Sequence, residues 1–151
     1  MREPDMPFSD TAREILGLAG QEARRLGHEY VGTEHFVLAF TGVTDGALGT
    51  TLSSLRLDRE SVRALIESTV RPGPGTSPRD AVLPYTSRTY RVFALAKESA
   101  HDLGAEDIGA EHLLLGVLRE AKGAGGQVLA HYGLSETAAL EEIKRSTRSE
   151  S

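Results

Sequence analysis

Between residues 12 and 26 the apolar side chains fall at Ala12, Ile15, Leu16, Ala19, Ala23 and Leu26, in the steps of three and four that line one face of a helix. Ser9 caps the start of that helix. Asp10 and Glu14 sit near its positive end, and Gly27 stops it. Thr33 is expected to cap a short second helix through Phe36, Val37 and Phe40. A third helix follows Gly46 and carries Leu48 and Leu52. Asp58 caps a fourth, with Val62, Leu65 and Ile66 on its apolar face. No stretch sustains the period-two alternation of a half-buried strand.

The same pattern is then written again. Sliding residues 8–70 onto 85–147 without a gap gives 16 identities in 63 positions, where ordinary residue usage gives roughly four. The pairs include Leu26/Leu103, Leu38/Leu115, Leu52/Leu129 and Ile66/Ile143, and Gly32-Thr-Glu-His35 recurs as Gly109-Ala-Glu-His112. The second copy places Val92, Phe93, Ala96, Ala100 and Leu103 on its first helix, with Gly104 as the stop. Leu113, Leu114 and Val117 fall on its second helix and Val128 and Leu129 on its third. Ser135 caps its fourth, which carries Leu140 and Ile143. The fold expected is therefore all-α: eight helices as two tandem four-helix repeats, residues 8–70 and 85–147. Residues 71–84 hold four of the chain's six prolines and read as a linker or surface loop. Leu26, Phe36, Leu52, Ile66, Leu103, Leu113, Leu129 and Ile143 are expected in the core. A half of about 63 residues has a thin core on its own, so the halves should pack on each other.

Composition narrows the function. The 151 residues carry a net charge of −5, which argues against a nucleic-acid partner, since phosphate contacts need clustered Lys and Arg. There is no cysteine, hence no disulfide, thiol chemistry or cysteine-ligated zinc. No apolar run approaches the roughly 18 residues of a membrane span. The N-terminus lacks the apolar stretch of a signal peptide, and a cytoplasmic location is expected. No Walker-type phosphate loop, His-Glu-x-x-His or Gly-x-Ser-x-Gly occurs. Gly123, Gly125 and Gly126 follow no strand and read as a helix boundary. The histidines, His28, His35, His101, His112 and His131, are scattered singly; the equivalence of His35 and His112 suggests a shared structural part. No enzyme, cofactor or metal site is expected.

The paired Gly-Thr-Glu-His and Gly-Ala-Glu-His blocks, each starting five residues after a helix ending in Leu-Gly, resemble the Clp N-terminal repeat domain, the module at the front of ClpC- and ClpA-type AAA+ unfoldases. Phe8-Ser-Asp-Thr-Ala12 and Tyr85-Thr-Ser-Arg88 resemble the family's helix-opening Phe-Thr-x-Arg-Ala, and Gly109–Glu120 is similar to the ClpC version of the second block. The resemblance covers residues 8 to 147 and implies an all-α pseudo-dimer that docks substrates and adaptors for ATPase rings absent from this chain. With the short polar tail Ser146–Ser151, it points to a stand-alone Clp N-domain protein. Its partners would be a ClpC-type unfoldase, its adaptors or its clients. Ligands implied by the resemblance are phosphoarginine-marked proteins and cyclic peptides. For phosphoarginine, the matching positions are Ser9 with Glu34 and Thr86 with Glu111, with Arg88 beside Thr86. A helix N-terminus with a hydroxyl suits the phosphoryl group, and a carboxylate suits the guanidinium. Thr11 departs from the family's Arg, and Pro4–Pro7 departs from its early aromatic residue. The alternative is a structural accessory subunit that docks on a Clp protease or unfoldase ring.

Overall fold

The computed structural model describes residues 6–149; Pro4 and Asp5, and the tail end Glu150–Ser151, lie outside the described residues. Among the described residues it holds eight helices: α1 (Asp10–Arg25), α2 (Thr33–Phe40), α3 (Gly46–Ser54), α4 (Arg59–Thr69), α5 (Ser87–Asp102), α6 (Ala110–Glu120), α7 (Ala124–His131) and α8 (Glu136–Ser149). They start where side chains can take the free N–H groups of a first turn. Ser9 Oγ accepts the Ala12 N–H at 3.1 Å, Thr86 Oγ1 the Thr89 N–H at 3.2 Å, Asp58 the Ser61 N–H at 2.8 Å and Ser135 Oγ the Ala138 N–H at 3.1 Å.

The second helix of the first repeat starts differently from the expectation, while that of the second repeat starts at Ala110 with Gly109 as its cap. The cap of α2 is Gly32, and Thr33 is its first helical residue. The Gly32 N–H donates to Nδ1 of His35 at 2.8 Å, and the Gly109 N–H donates to Nδ1 of His112 at 2.8 Å. A buried imidazole at the third helical position thus takes the N–H of the cap residue itself, and this is the shared structural part played by the two equivalent histidines. Freed from capping, Thr33 is buried and its Oγ1 accepts the N–H of Gly125, at the start of α7, at 2.9 Å.

Within each repeat the first and fourth helices pack on the second: α1 and α4 on α2, α5 and α8 on α6. The third helices reach across. α3 packs on α6 and α8 of the other repeat, and α7 packs on α2 and α4 as well as on its own α6. One apolar cluster therefore runs through both halves, with Ile15, Phe36, Phe40, Ile66, Leu113 and Leu129 among its most buried members. Leu103 departs from expectation and is only half-buried. Its counterpart Leu26 is covered by the segment between the repeats, whose Gly73 N–H donates to the Leu26 carbonyl at 2.8 Å. Leu103 instead lines an open cavity against α8.

The segment 71–84 contains no helix but is not loose. Besides the Gly73 bond, Gly75 N–H donates to Gly27 O at 2.9 Å and the Arg24 guanidinium donates to Pro78 O at 3.1 Å. Gly27, at φ 73°, meets the Gly73 backbone so closely that a Cβ there would stand 3.1 Å from its carbonyl carbon. The glycine stop of α1 is also a docking point for this strap.

Candidate ligand-binding junctions

Two short backbone pairs join the repeats, and they are equivalent under the 77-residue offset. Phe8 pairs in parallel with Ile108, and Tyr85 with Val31. In the first pair the Ser9 N–H donates to Ile108 O at 2.9 Å and the Ile108 N–H to Pro7 O at 2.8 Å. In the second the Thr86 N–H donates to Val31 O at 3.0 Å and the Val31 N–H to Pro84 O at 2.8 Å. The N-terminus of α1 is thereby fixed beside the turn that opens α6, and the N-terminus of α5 beside the turn that opens α2.

This geometry redistributes the candidate residues. Ser9 lies at the junction that carries Glu111, and Thr86 at the junction that carries Glu34. The sequence-based pairing of Ser9 with Glu34 and Thr86 with Glu111 is not what the backbone brings together. The repeats exchange their leading segments, so each junction takes its hydroxyl from one repeat and its carboxylate from the other.

Both carboxylates fold back over their own helix N-termini. A Cβ added at Gly32 would stand 3.1 Å from the Glu34 carboxyl carbon, and one at Gly109 would be 2.9 Å from that of Glu111. The glycines that cap α2 and α6 leave room for the carboxylates. Glu34 is the more enclosed, its side chain 15% exposed against 32% for Glu111. Burial pushes the Glu34 carboxyl above its ordinary range, against the lowering effect of a backbone N–H and the nearby His28. Oε1 of Glu34 lies 3.3 Å from Nδ1 of His35, but this is no ion pair. That nitrogen already accepts the Gly32 N–H, and burial, with charge from His28, holds the His35 pKa down to about 4. Burial lowers His112 as well.

The Thr86 junction carries a network that the Ser9 junction lacks. Arg88 donates to Oε2 of buried Glu120 at 3.0 Å, and the other Glu120 oxygen accepts the Gly123 N–H at 2.8 Å. Thr89 donates its hydroxyl to Val31 O at 2.9 Å. At the other junction Thr11 replaces Arg88, Ala12 replaces Thr89 and Val43 replaces Glu120. Sequence reasoning picked Arg88 but missed Glu120, whose signal was present: a charged residue opposite a valine in the matching copy. Among the described residues no group of three or more His, Asp or Glu is arranged to hold a metal, and no helix is long and apolar enough to cross a membrane.

A family model for the Clp repeat (R) N-terminal domain matches residues 7–132. The chain is 37% identical over 138 residues to the chloroplastic chaperone protein ClpC of Pisum sativum, covering 91% of this chain and 15% of that protein. It is 35% identical over 136 residues to the negative regulator of genetic competence ClpC/MecB of Bacillus subtilis, covering 90% of this chain and 16% of that one. The chain thus spans about a sixth of the length of these curated relatives. Among solved structures it is similar to the N-terminal domain of ClpD from Arabidopsis thaliana, with a TM-score of 0.68 and 21% identity over 99% of this chain and 98% of that one. It is also similar to the Hsp104 N-terminal domain from Candida albicans, with a TM-score of 0.71 and 18% identity over 91% and 89% of the two chains. Matched over most of its length, and built from two four-helix repeats that exchange their leading segments, the chain belongs to the Clp repeat N-terminal domain family.

Proposed function

We propose that this chain is a non-catalytic protein-binding module of the Clp proteolysis system, with residues 8–70 and 85–147 as its repeats, and that it reads phosphorylated arginine on client proteins. The observation that supports this reading is the make-up of the two junctions. Each sets a hydroxyl-capped helix start, Ser9 or Thr86, against a turn where a carboxylate, Glu111 or Glu34, covers a second helix start. Phosphoarginine carries an anionic phosphoryl group bonded directly to a cationic, planar guanidinium. The N–H groups of a helix start suit the first, and a carboxylate suits the second through paired hydrogen bonds. Arg88, half-exposed beside Thr86, would add a cation for the phosphoryl oxygens. Clp unfoldases, their adaptors and their clients are the partners that follow from this reading.

Isothermal titration with free phosphoarginine is the test. Glu34→Ala and Glu111→Ala should each weaken one site by about 10- to 150-fold, the worth of a charge-assisted pair. The exchanged junctions add a sharper expectation. Thr86→Ala and Glu34→Ala should be strongly non-additive, because they act on one site, whereas Thr86→Ala and Glu111→Ala should add. No heat at millimolar ligand, with no NMR shift near either glutamate, would leave both carboxylates as helix-capping residues and remove the phosphoarginine reading.

A further inference from the structure

α1 and α4 both pack on α2, and a groove lies between them. It encloses a cavity of about 240 Å³ floored by Leu38, with Glu22, Arg25, Arg59 and Arg63 on its walls. Glu22 is buried and holds two of the arginines. Its Oε2 accepts from Arg25 Nε at 2.6 Å and its Oε1 from Arg63 at 2.7 Å. Burial raises the Glu22 carboxyl, but the hydrogen bonds and charges of Arg25 and Arg63 outweigh it and leave the group below its ordinary range. It is therefore ionised at neutral pH and keeps both guanidiniums in place. Arg25 also reaches Glu67 at the rim, at 3.2 Å. Three guanidiniums thus face two carboxylates. Each guanidinium has five N–H donors in a planar fork. The bonds to Glu22 and Glu67 leave donors of Arg25 and Arg63 unused, and Arg59 has no carboxylate partner among the described residues.

The other repeat supplies the comparison. Its equivalent cavity lies between α5 and α8 over Leu115 and has about 280 Å³. Under the same offset Glu22 becomes Ser99, and Arg25, Arg59 and Arg63 become Asp102, Glu136 and Leu140. The fold makes the groove twice, but the first copy is lined with three arginines, whereas the second has Arg119, held between Glu98 and Glu136, and Lys144.

We propose that the α1–α4 groove is an oxyanion-binding site, taking a carboxylate or phosphoryl group into the arginine fork that Glu22 organises. It is separate from the junctions and does not depend on the phosphoarginine reading. The forked guanidinium is suited to bidentate contact with either oxyanion.

The test is an NMR titration of the whole chain that follows the arginine side-chain Nε–H signals, with inorganic phosphate in one arm and succinate in the other, at fixed ionic strength. Arg59 and Arg63 should shift along a saturating curve, while Arg119 of the second repeat does not move. A response to both probes assigns general oxyanion binding; a response to one alone identifies the preferred group. Arg59→Gln, at an exposed site, should raise the Kd at least tenfold without changing the melting temperature. The Glu34→Ala/Glu111→Ala double variant should titrate as wild type. Shifts that rise linearly, persist in Arg59→Gln, appear equally at Arg119 or vanish in the double variant would overturn the proposal.

Discussion

At the scale of single residues, glycine marks where the two repeats touch. Gly125, in the first turn of α7, lies against the α2 N-terminus. A Cβ there would stand 2.5 Å from the Thr33 carbonyl oxygen and 2.7 Å from its carbon, both backbone atoms that cannot step aside. Gly20, inside α1, has nothing within 4 Å of the same added atom. The two glycines therefore make opposite predictions for one substitution. Gly125→Ala should destabilise the chain by about 1–3 kcal/mol through overpacking. Gly20→Ala should stabilise it by about 0.5–1 kcal/mol, because alanine in a helix interior loses less backbone freedom on folding. Urea melts of the two variants against wild type check both signs. From sequence, Gly123, Gly125 and Gly126 read as a helix boundary. The reason that Gly125 must be glycine is a contact with Thr33, 92 residues away.

Secondary-structure elements are held in register by histidine as much as by the expected hydroxyl caps. The Gly32 N–H donates to His35 Nδ1, so the His35 proton sits on Nε2, which faces His28 Nδ1 at 2.8 Å. His28 in turn donates from Nε2 to the Arg71 carbonyl at 2.7 Å, at the start of the strap between the repeats. This chain of imidazoles ties the α2 cap to the strap, and the bond that starts it, from the Gly32 N–H, needs His35 Nδ1 unprotonated. With its pKa held at about 4, His35 binds its proton more readily in the unfolded chain, near the ordinary value of 6.5. Stability that is fully present above pH 6.5 is then lost as pH falls towards 4, by up to about 3 kcal/mol from this group. His112, also lowered, adds in the same direction. Denaturant melts at pH 7.5 and pH 5 should show the loss. His28→Ala, which cuts the relay before Arg71, should increase hydrogen exchange at Gly73 and Gly75. Unchanged protection there would mean that the strap is held by its backbone bonds alone.

The whole molecule is one interleaved unit. α3 finds its packing on α6 and α8 of the other repeat, and both junctions cross between repeats. Separated repeats would each lose packing for a third helix and a partner for a leading segment, on a core already thin for their length. Each repeat expressed alone should therefore lack a cooperative melt and have low helicity by circular dichroism. The intact chain should unfold in one transition by fluorescence of its tyrosines and by circular dichroism. A cooperative melt from either repeat alone would contradict this.

The sequence by itself determined the number and type of elements, the two-fold repetition and most of the core. These are local or short-range properties: apolar spacing fixes a helix face, a hydroxyl or glycine fixes its end, and self-comparison reveals duplication without any fold. The exceptions show where that reach ends. Thr33 has the chemistry of a cap, but Gly32 holds the cap position and the Thr33 hydroxyl instead accepts from Gly125 of the other repeat. Leu26 and Leu103 match in sequence and differ in burial because a strap crosses only one of them. Most consequential for the site, Ser9 and Glu34 are adjacent in the logic of one repeat yet belong to different junctions. That arrangement follows from the exchange of leading segments between the repeats. Backbone hydrogen bonds carry no side-chain signature, so the partner of each segment was decided only by how the two repeats pack together.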